Sequence, residues 1–132
     1  MVEEITLKKG ALVIKQGDDR DRFLYIVKKG KLTVQRMVSG SIVNCGYARE
    51  GDIFGEVSMI TGAIRAATIM SAEDGVVVLR MDKSSFLAMI RVDPEIAWKV
   101  LTNLAIKTQM LDEIQEQVSD PAVLRKMILG QN

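Results

Sequence analysis

From the N-terminus to about residue 81, apolar positions come in short runs, some continuous and some alternating with polar residues. The segments are 3–8, 11–15, 23–28, 31–36, 42–48, 65–71 and 76–81. Lengths of about five to seven residues and a period near two predict strands. Turn chemistry separates them at Gly17-Asp18-Asp19, Lys29-Gly30, Ser39-Gly40, Glu50-Gly51-Asp52 and Glu73-Asp74-Gly75. Short strands at this spacing, with no helices alternating between them, predict a sandwich or barrel and argue against a parallel α/β sheet.

Beyond Met81 the period changes to that of a helix. Asp82 is placed to cap a helix ending near Val92, with Phe86, Leu87, Met89 and Ile90 as its apolar positions. Asp93-Pro94 opens a longer helix reaching about Val118, free of interior Gly and Pro. Ser119-Asp120-Pro121 repeats the start signal for a short helix, Ala122 to Leu129, ended by Gly130. The expected layout is a β core over residues 1–92 with helices over 93–132 belonging to the same domain. On the long helix, Ala97, Leu104, Leu111 and Val118 recur every seven residues, with Val100 and Ile114 at the companion positions and Lys107 interrupting them. Such a stripe fits a helix packed by one face on the β core or a parallel dimer seam, and its period does not choose.

Composition narrows the function. There is no histidine in 132 residues, which removes His-based acid–base catalysis, Ser-His and Cys-His dyads and His-ligated metals. The single cysteine, Cys45, forms no internal disulfide or thiolate cluster and reads as a small buried hydrophobe. A net charge of +1 gives no field for holding nucleic acid or an anionic membrane. The acidic N-terminus lacks a signal-peptide core, and no apolar run approaches the roughly 18 residues of a membrane span. These features predict a cytoplasmic, non-enzymatic protein with neither metal nor cofactor. The run Asp18-Asp19-Arg20-Asp21-Arg22 reads as a solvated turn, because its arginines spoil a calcium loop.

The stretch that carries chemistry is Gly51-Asp52-Ile53-Phe54-Gly55-Glu56-Val57-Ser58, followed by Arg65-Ala66-Ala67-Thr68. Residues 56–60 suit one helical turn, whose opening N–H groups favour an anion. Arg65 offers a planar fork for phosphate oxygens, and Ala66 and Ala67 leave room for a ligand near the backbone. Glu56 suits a ligand that also carries hydroxyls, such as a ribose. The plainer alternative is a solvated Glu56–Arg65 salt bridge, worth at most about 1 kcal/mol.

Phe54-Gly55-Glu56 with Arg65-Ala66-Ala67-Thr68 resembles the phosphate-binding cassette of cyclic-nucleotide-binding domains, most of all that of the protein kinase A regulatory subunit. Ile14-Lys15-Gln16-Gly17-Asp18 and Phe23-Leu24-Tyr25-Ile26-Val27 before Gly30 resemble the family's early strands. Asp93-Pro94-Glu95-Ile96 and the long helix resemble the bacterial catabolite activators. The resemblance implies an eight-stranded double-stranded β-helix, or jelly roll, with a long C-terminal helix. It also implies a ligand-binding set of Phe54, Gly55, Glu56, Val57, Ser58, Arg65, Ala66 and Ala67. In that set Arg65 binds the equatorial phosphate oxygen and Glu56 the ribose 2′-hydroxyl, while the backbone of Gly55, Ser58 and Ala66 lines phosphate and sugar. Leu111 stands where the activators present a helix hydroxyl to adenine, so an apolar cap on the base is expected there.

Family members that prefer cyclic GMP often carry a hydroxyl residue after the arginine. Ala66 therefore points to cyclic AMP ahead of cyclic GMP. The expected function is a non-catalytic cyclic-nucleotide sensor that signals through helix movement to an unidentified effector, as a homodimer joined through helix 94–118. About a dozen residues follow that helix, too few for a DNA-reading domain, so neither DNA nor membrane is an expected partner. The competing readings are a ligand-free assembly module with a degenerate cassette and, last, a cupin-like enzyme, for which the metal-binding histidines are missing.

Overall fold

The structure, a computed structural model, describes the backbone of residues 1–119 and the side-chain surroundings of residues 1–109. Eight strands precede the long helices: β1 (Val2–Leu7), β2 (Leu12–Ile14), β3 (Leu24–Lys29), β4 (Lys31–Val38), β5 (Ser41–Arg49), β6 (Ile53–Phe54), β7 (Thr68–Ser71) and β8 (Val76–Met81). A short helix α1 (Glu56–Thr61) lies between β6 and β7, and α2 (Lys83–Val92) and α3 (Glu95–Ser119) follow β8. The strands form two antiparallel four-stranded sheets, in the orders β1-β8-β3-β6 and β2-β7-β4-β5. This is the expected mainly β jelly roll with C-terminal helices.

Alternation accounts for the core. Val27, Val76, Val78 and Phe54 come from the first sheet, and Ile14, Leu32, Ala48 and Ile69 from the second; all are buried in one cluster. Full burial of a Val or Leu side chain contributes about 1.5–3 kcal/mol, so this shared interior is what holds the two sheets face to face. Between β3 and β4 the chain turns at Gly30, with φ 86°, and a β-carbon there would lie 2.8 Å from Val76 Cγ2. Only glycine lets that turn close onto the core.

Seven of the strands fall where the hydrophobic pattern puts them. The eighth, β6, is two residues long and pairs with Tyr25 and Ile26 of β3. Strand β7 begins at Thr68, not at 65, because the backbone of Arg65 bonds elsewhere: its N–H donates to Asp18 O at 2.9 Å and its carbonyl accepts from Gly17 N at 2.8 Å. Cys45 is exposed, contrary to its reading as a buried hydrophobe. On β5, Gly46 pairs with Val34 and Asn44 with Gln35, so Cys45 is the extra residue of a bulge on an outer strand.

Asp82 caps α2 as its sequence predicts, accepting from Ser85 N at 2.8 Å. The chain divides into two compact units, Met1–Pro94 and Glu95–Asn132, the second represented among the described residues by α3. The short helix expected over 122–129 lies outside the described residues. None of the helices described is long and apolar enough to cross a membrane.

Candidate functional site

Strand β6 delivers Phe54 to the core and ends at Gly55, where φ is 85° and α1 begins. A β-carbon at Gly55 would lie 2.8 Å from Phe23 O and 2.9 Å from Arg65 Nη1, so the tight turn is available to glycine alone. Within α1, Glu56 and Ser58 are buried and Val57 is exposed. The helix stops after one and a half turns at Gly62, whose φ is 76° and whose N–H donates to Ser58 O at 2.9 Å. Ala66 is exposed and Ala67 half-buried beside the arginine. The six cassette residues from Phe54 to Ser58 and Arg65 thus belong to one continuous turn–helix–loop, as their spacing suggested.

Arg65 is 2% exposed and organises the loops around it. Its Nη1 donates to Gly55 O at 3.0 Å, and its Nη2 to Phe23 O at 2.6 Å and to Asp21 Oδ1 at 2.8 Å. Three of the five guanidinium donors are thereby placed. The Nε–H is buried and has no hydrogen-bond partner among the described residues. A buried donor left unmade costs about 1–3 kcal/mol, and such a group in a folded protein requires an explanation.

The carboxylate bonded to Arg65 at 2.8 Å is that of Asp21, across 44 residues of sequence. A solvated salt bridge, the plainer alternative for Arg65, does not describe this arginine, which is held inside the fold. Asp21 is the residue that sequence reasoning missed, having read 18–22 as a solvated turn. The turn is there: Asp18 Oδ1 accepts from Arg20 N at 2.7 Å and Asp21 N at 3.2 Å, and these two N–H groups hold the Asp18 carboxyl below its ordinary value. What the turn does is aim Asp21 inward.

Asp21 Oδ1 also accepts from Phe23 N at 3.0 Å, and Oδ2 from the Tyr25 hydroxyl at 3.2 Å. The Tyr25 ring stacks on Phe54, centroids 5.2 Å apart and planes 10° from parallel. Burial, with the Asp21 charge second, pushes the phenol up to about 12, so it stays a neutral donor at physiological pH. Arg80 lies over the Phe23 ring at 4.6 Å and pairs with Glu3, closing the outer side of this cluster. Leu111, expected over the base, has its side chain outside the described residues. No group of three His, Cys, Asp or Glu side chains suited to a metal ion occurs among the described residues.

Chemically, the site offers a buried cation with a spare N–H, a buried carboxylate at Glu56 on the adjoining helix, and small side chains where a ligand would approach. Comparison with known proteins gives this geometry a context. Residues 4–93 match the family model described as cyclic nucleotide-binding domain. A cAMP-dependent protein kinase regulatory subunit from Debaryomyces hansenii is 42% identical over 80 residues, covering 60% of this chain and 17% of that protein. The catabolite activator protein of Thermus thermophilus superposes with a TM-score of 0.77 at 26% identity, over 89% of this chain and 55% of that one. The regulatory domain of Toxoplasma gondii PKA, crystallised with cAMP, superposes with a TM-score of 0.59 at 29% identity, over 66% of this chain and 33% of that one. The chain spans 17–24% of the length of three curated kinase regulatory subunits that it matches.

Proposed function

This chain belongs to the cyclic nucleotide-binding domain family, a regulatory and non-catalytic module, and on that premise we propose that it is a sensor of cyclic AMP. The observation that carries the proposal is the Arg65 Nε–H, buried and without a hydrogen-bond partner among the described residues. A cyclic phosphodiester supplies the acceptor that this donor lacks, and an arginine–phosphate contact is charge-assisted. Glu56 takes the ribose 2′-hydroxyl. Phe54, Gly55, Val57, Ser58, Ala66 and Ala67 shape the phosphate and sugar site. With alanine at position 66 there is no side-chain hydroxyl for guanine, so cyclic AMP is preferred over cyclic GMP.

The cassette and the helices act as one sensing unit, and the chain signals to an effector from a cytoplasmic location as a homodimer joined through helix 94–118. The rival reading, a ligand-free assembly module, draws on Asp21, which already supplies Arg65 with a negative charge at 2.8 Å. Isothermal calorimetry with cyclic AMP and cyclic GMP separates the two. The sensor reading expects one-to-one binding with cyclic AMP the tighter ligand. It also expects Arg65→Lys, which keeps the charge and loses the fork, to weaken cyclic AMP by about tenfold or more. A folded protein whose melting temperature is unmoved by either nucleotide would leave the assembly module as the function.

A further inference from the structure

Tyr25 lies on β3 with its ring turned into the core, 3% exposed and stacked on Phe54. A phenylalanine would fill that space equally well. The hydroxyl is an addition that packing does not need, and an unbonded hydroxyl in such a place costs about 1–3 kcal/mol. Its partner here is Asp21 Oδ2 at 3.2 Å. The other oxygen of the same carboxylate is the one that receives Arg65 Nη2 at 2.8 Å, together with Phe23 N at 3.0 Å. Holding one oxygen of a carboxylate fixes the plane in which the other accepts. The phenol therefore controls the rotation of Asp21, and Asp21 is the charged partner of Arg65.

We propose that Tyr25 is a positioning residue of the cassette: its hydroxyl orients Asp21, and through Asp21 it sets the direction in which Arg65 presents its buried Nε–H. The stacked ring gives the same side chain a second hold, because Phe54 immediately precedes the Gly55 turn whose carbonyl also binds Arg65 at 3.0 Å. One tyrosine thus links the arginine's acid partner to the strand that enters the cassette. Neither link is visible in the sequence, where Tyr25 is one more inward residue of a strand. The inference rests on the reading of Arg65 as the phosphate ligand only in its consequence for affinity; the coupling of Tyr25 to Arg65 runs through hydrogen bonds of the chain itself.

The test is therefore made twice, without and with nucleotide. In the ligand-free protein, the Arg65 Nε–H resonance is followed by NMR, identified by its loss in Arg65→Lys. Tyr25→Phe, which keeps the ring, is expected to shift that resonance and to speed its hydrogen exchange about fivefold or more. In an Asp21→Ala background the same substitution is expected to change neither. With cyclic AMP in the calorimeter, Tyr25→Phe is expected to weaken binding about fivefold, while the double variant binds no more weakly than Asp21→Ala alone. A merely structural tyrosine would leave the Nε resonance where it is, or would weaken binding equally in both backgrounds, and either result overturns the proposal. If the wild-type protein takes up no cyclic AMP, the phosphate reading fails. The resonance then decides the positioning role by itself: moved by Tyr25→Phe it upholds the role, unmoved it refutes it.

Discussion

At Gly55 two demands coincide: a backbone with φ 85° and carbonyl and guanidinium neighbours within 3 Å of any β-carbon. At Gly62 the φ is similar, 76°, but the obstructing atom is Arg22 Nη1, the far end of a flexible side chain. The two alanine substitutions should therefore differ. Gly62→Ala keeps its backbone strain, about 1 kcal/mol, while Arg22 swings aside. Gly55→Ala has the same strain, and in addition must push apart the Phe23 carbonyl and Arg65, which brings the loss to about 3 kcal/mol or more. Urea unfolding of the two variants measures the difference, and equal losses would mean that the Gly55 turn has room the geometry denies it. Residues of this kind are legible in sequence only when the reason is local. Gly55, Glu56 and Arg65 stand close together, and their types and spacing admit an anion site as well as a plain salt bridge. Asp21 stands 44 residues from Arg65, inside a run whose acids and arginines look evenly solvated. Nothing in their spacing says that one of three aspartates turns inward, because an Asx turn set by Asp18 decides it.

Helix α2 shows the opposite case, an element whose start is written in one residue. Asp82 is exposed, and its carboxyl is held below its ordinary 3.8 first by the Ser85 backbone N–H and next by the Ser85 hydroxyl. Ionised in the folded protein at a pH where the unfolded chain has begun to take up its proton, this cap contributes stability that is complete above pH 3.8. That contribution is lost as the pH falls through the lower folded value. Asp82→Ala should consequently lower stability at neutral pH and flatten the decline between pH 5 and pH 3. Urea midpoints for the two proteins at a series of pH values read this directly. Parallel curves would show that the cap carries no charge-dependent stability. The strands divide along the same line. Those of six or more residues announce themselves by alternation, whereas β6, with two residues, is too short to have a period and is held by its pairing to Tyr25 and Ile26. The start of β7 at Thr68, three residues past the start of its hydrophobic segment, has a related reason. Hydrophobic pattern cannot see that residue 65 bonds its backbone to Gly17 and Asp18.

For the molecule as a whole, the proposed homodimer makes a demand that the sequence itself states. Helix α3 is 25 residues long, and in it Ala97, Leu104, Leu111 and Val118 keep a strict spacing of seven. In a parallel pair these positions meet their own copies, and so do Val100, Lys107 and Ile114. Two Lys107 ammonium groups would then face each other near the middle of the seam. Like charges at such a position weaken a dimer, and salt relieves the repulsion, because the screening length falls from about 10 Å at 0.1 M to about 3 Å at 1 M. A dimer built on this seam should accordingly tighten as salt is raised, and Lys107→Leu should tighten it by about tenfold or more at low salt and remove most of the salt dependence. Sedimentation velocity over a range of protein concentrations reads both effects. If the wild type dimerises and Lys107→Leu leaves its dissociation constant unchanged, the copies meet through another surface. The seven-residue spacing would then belong to packing within one chain, the other reading that the period of α3 allows.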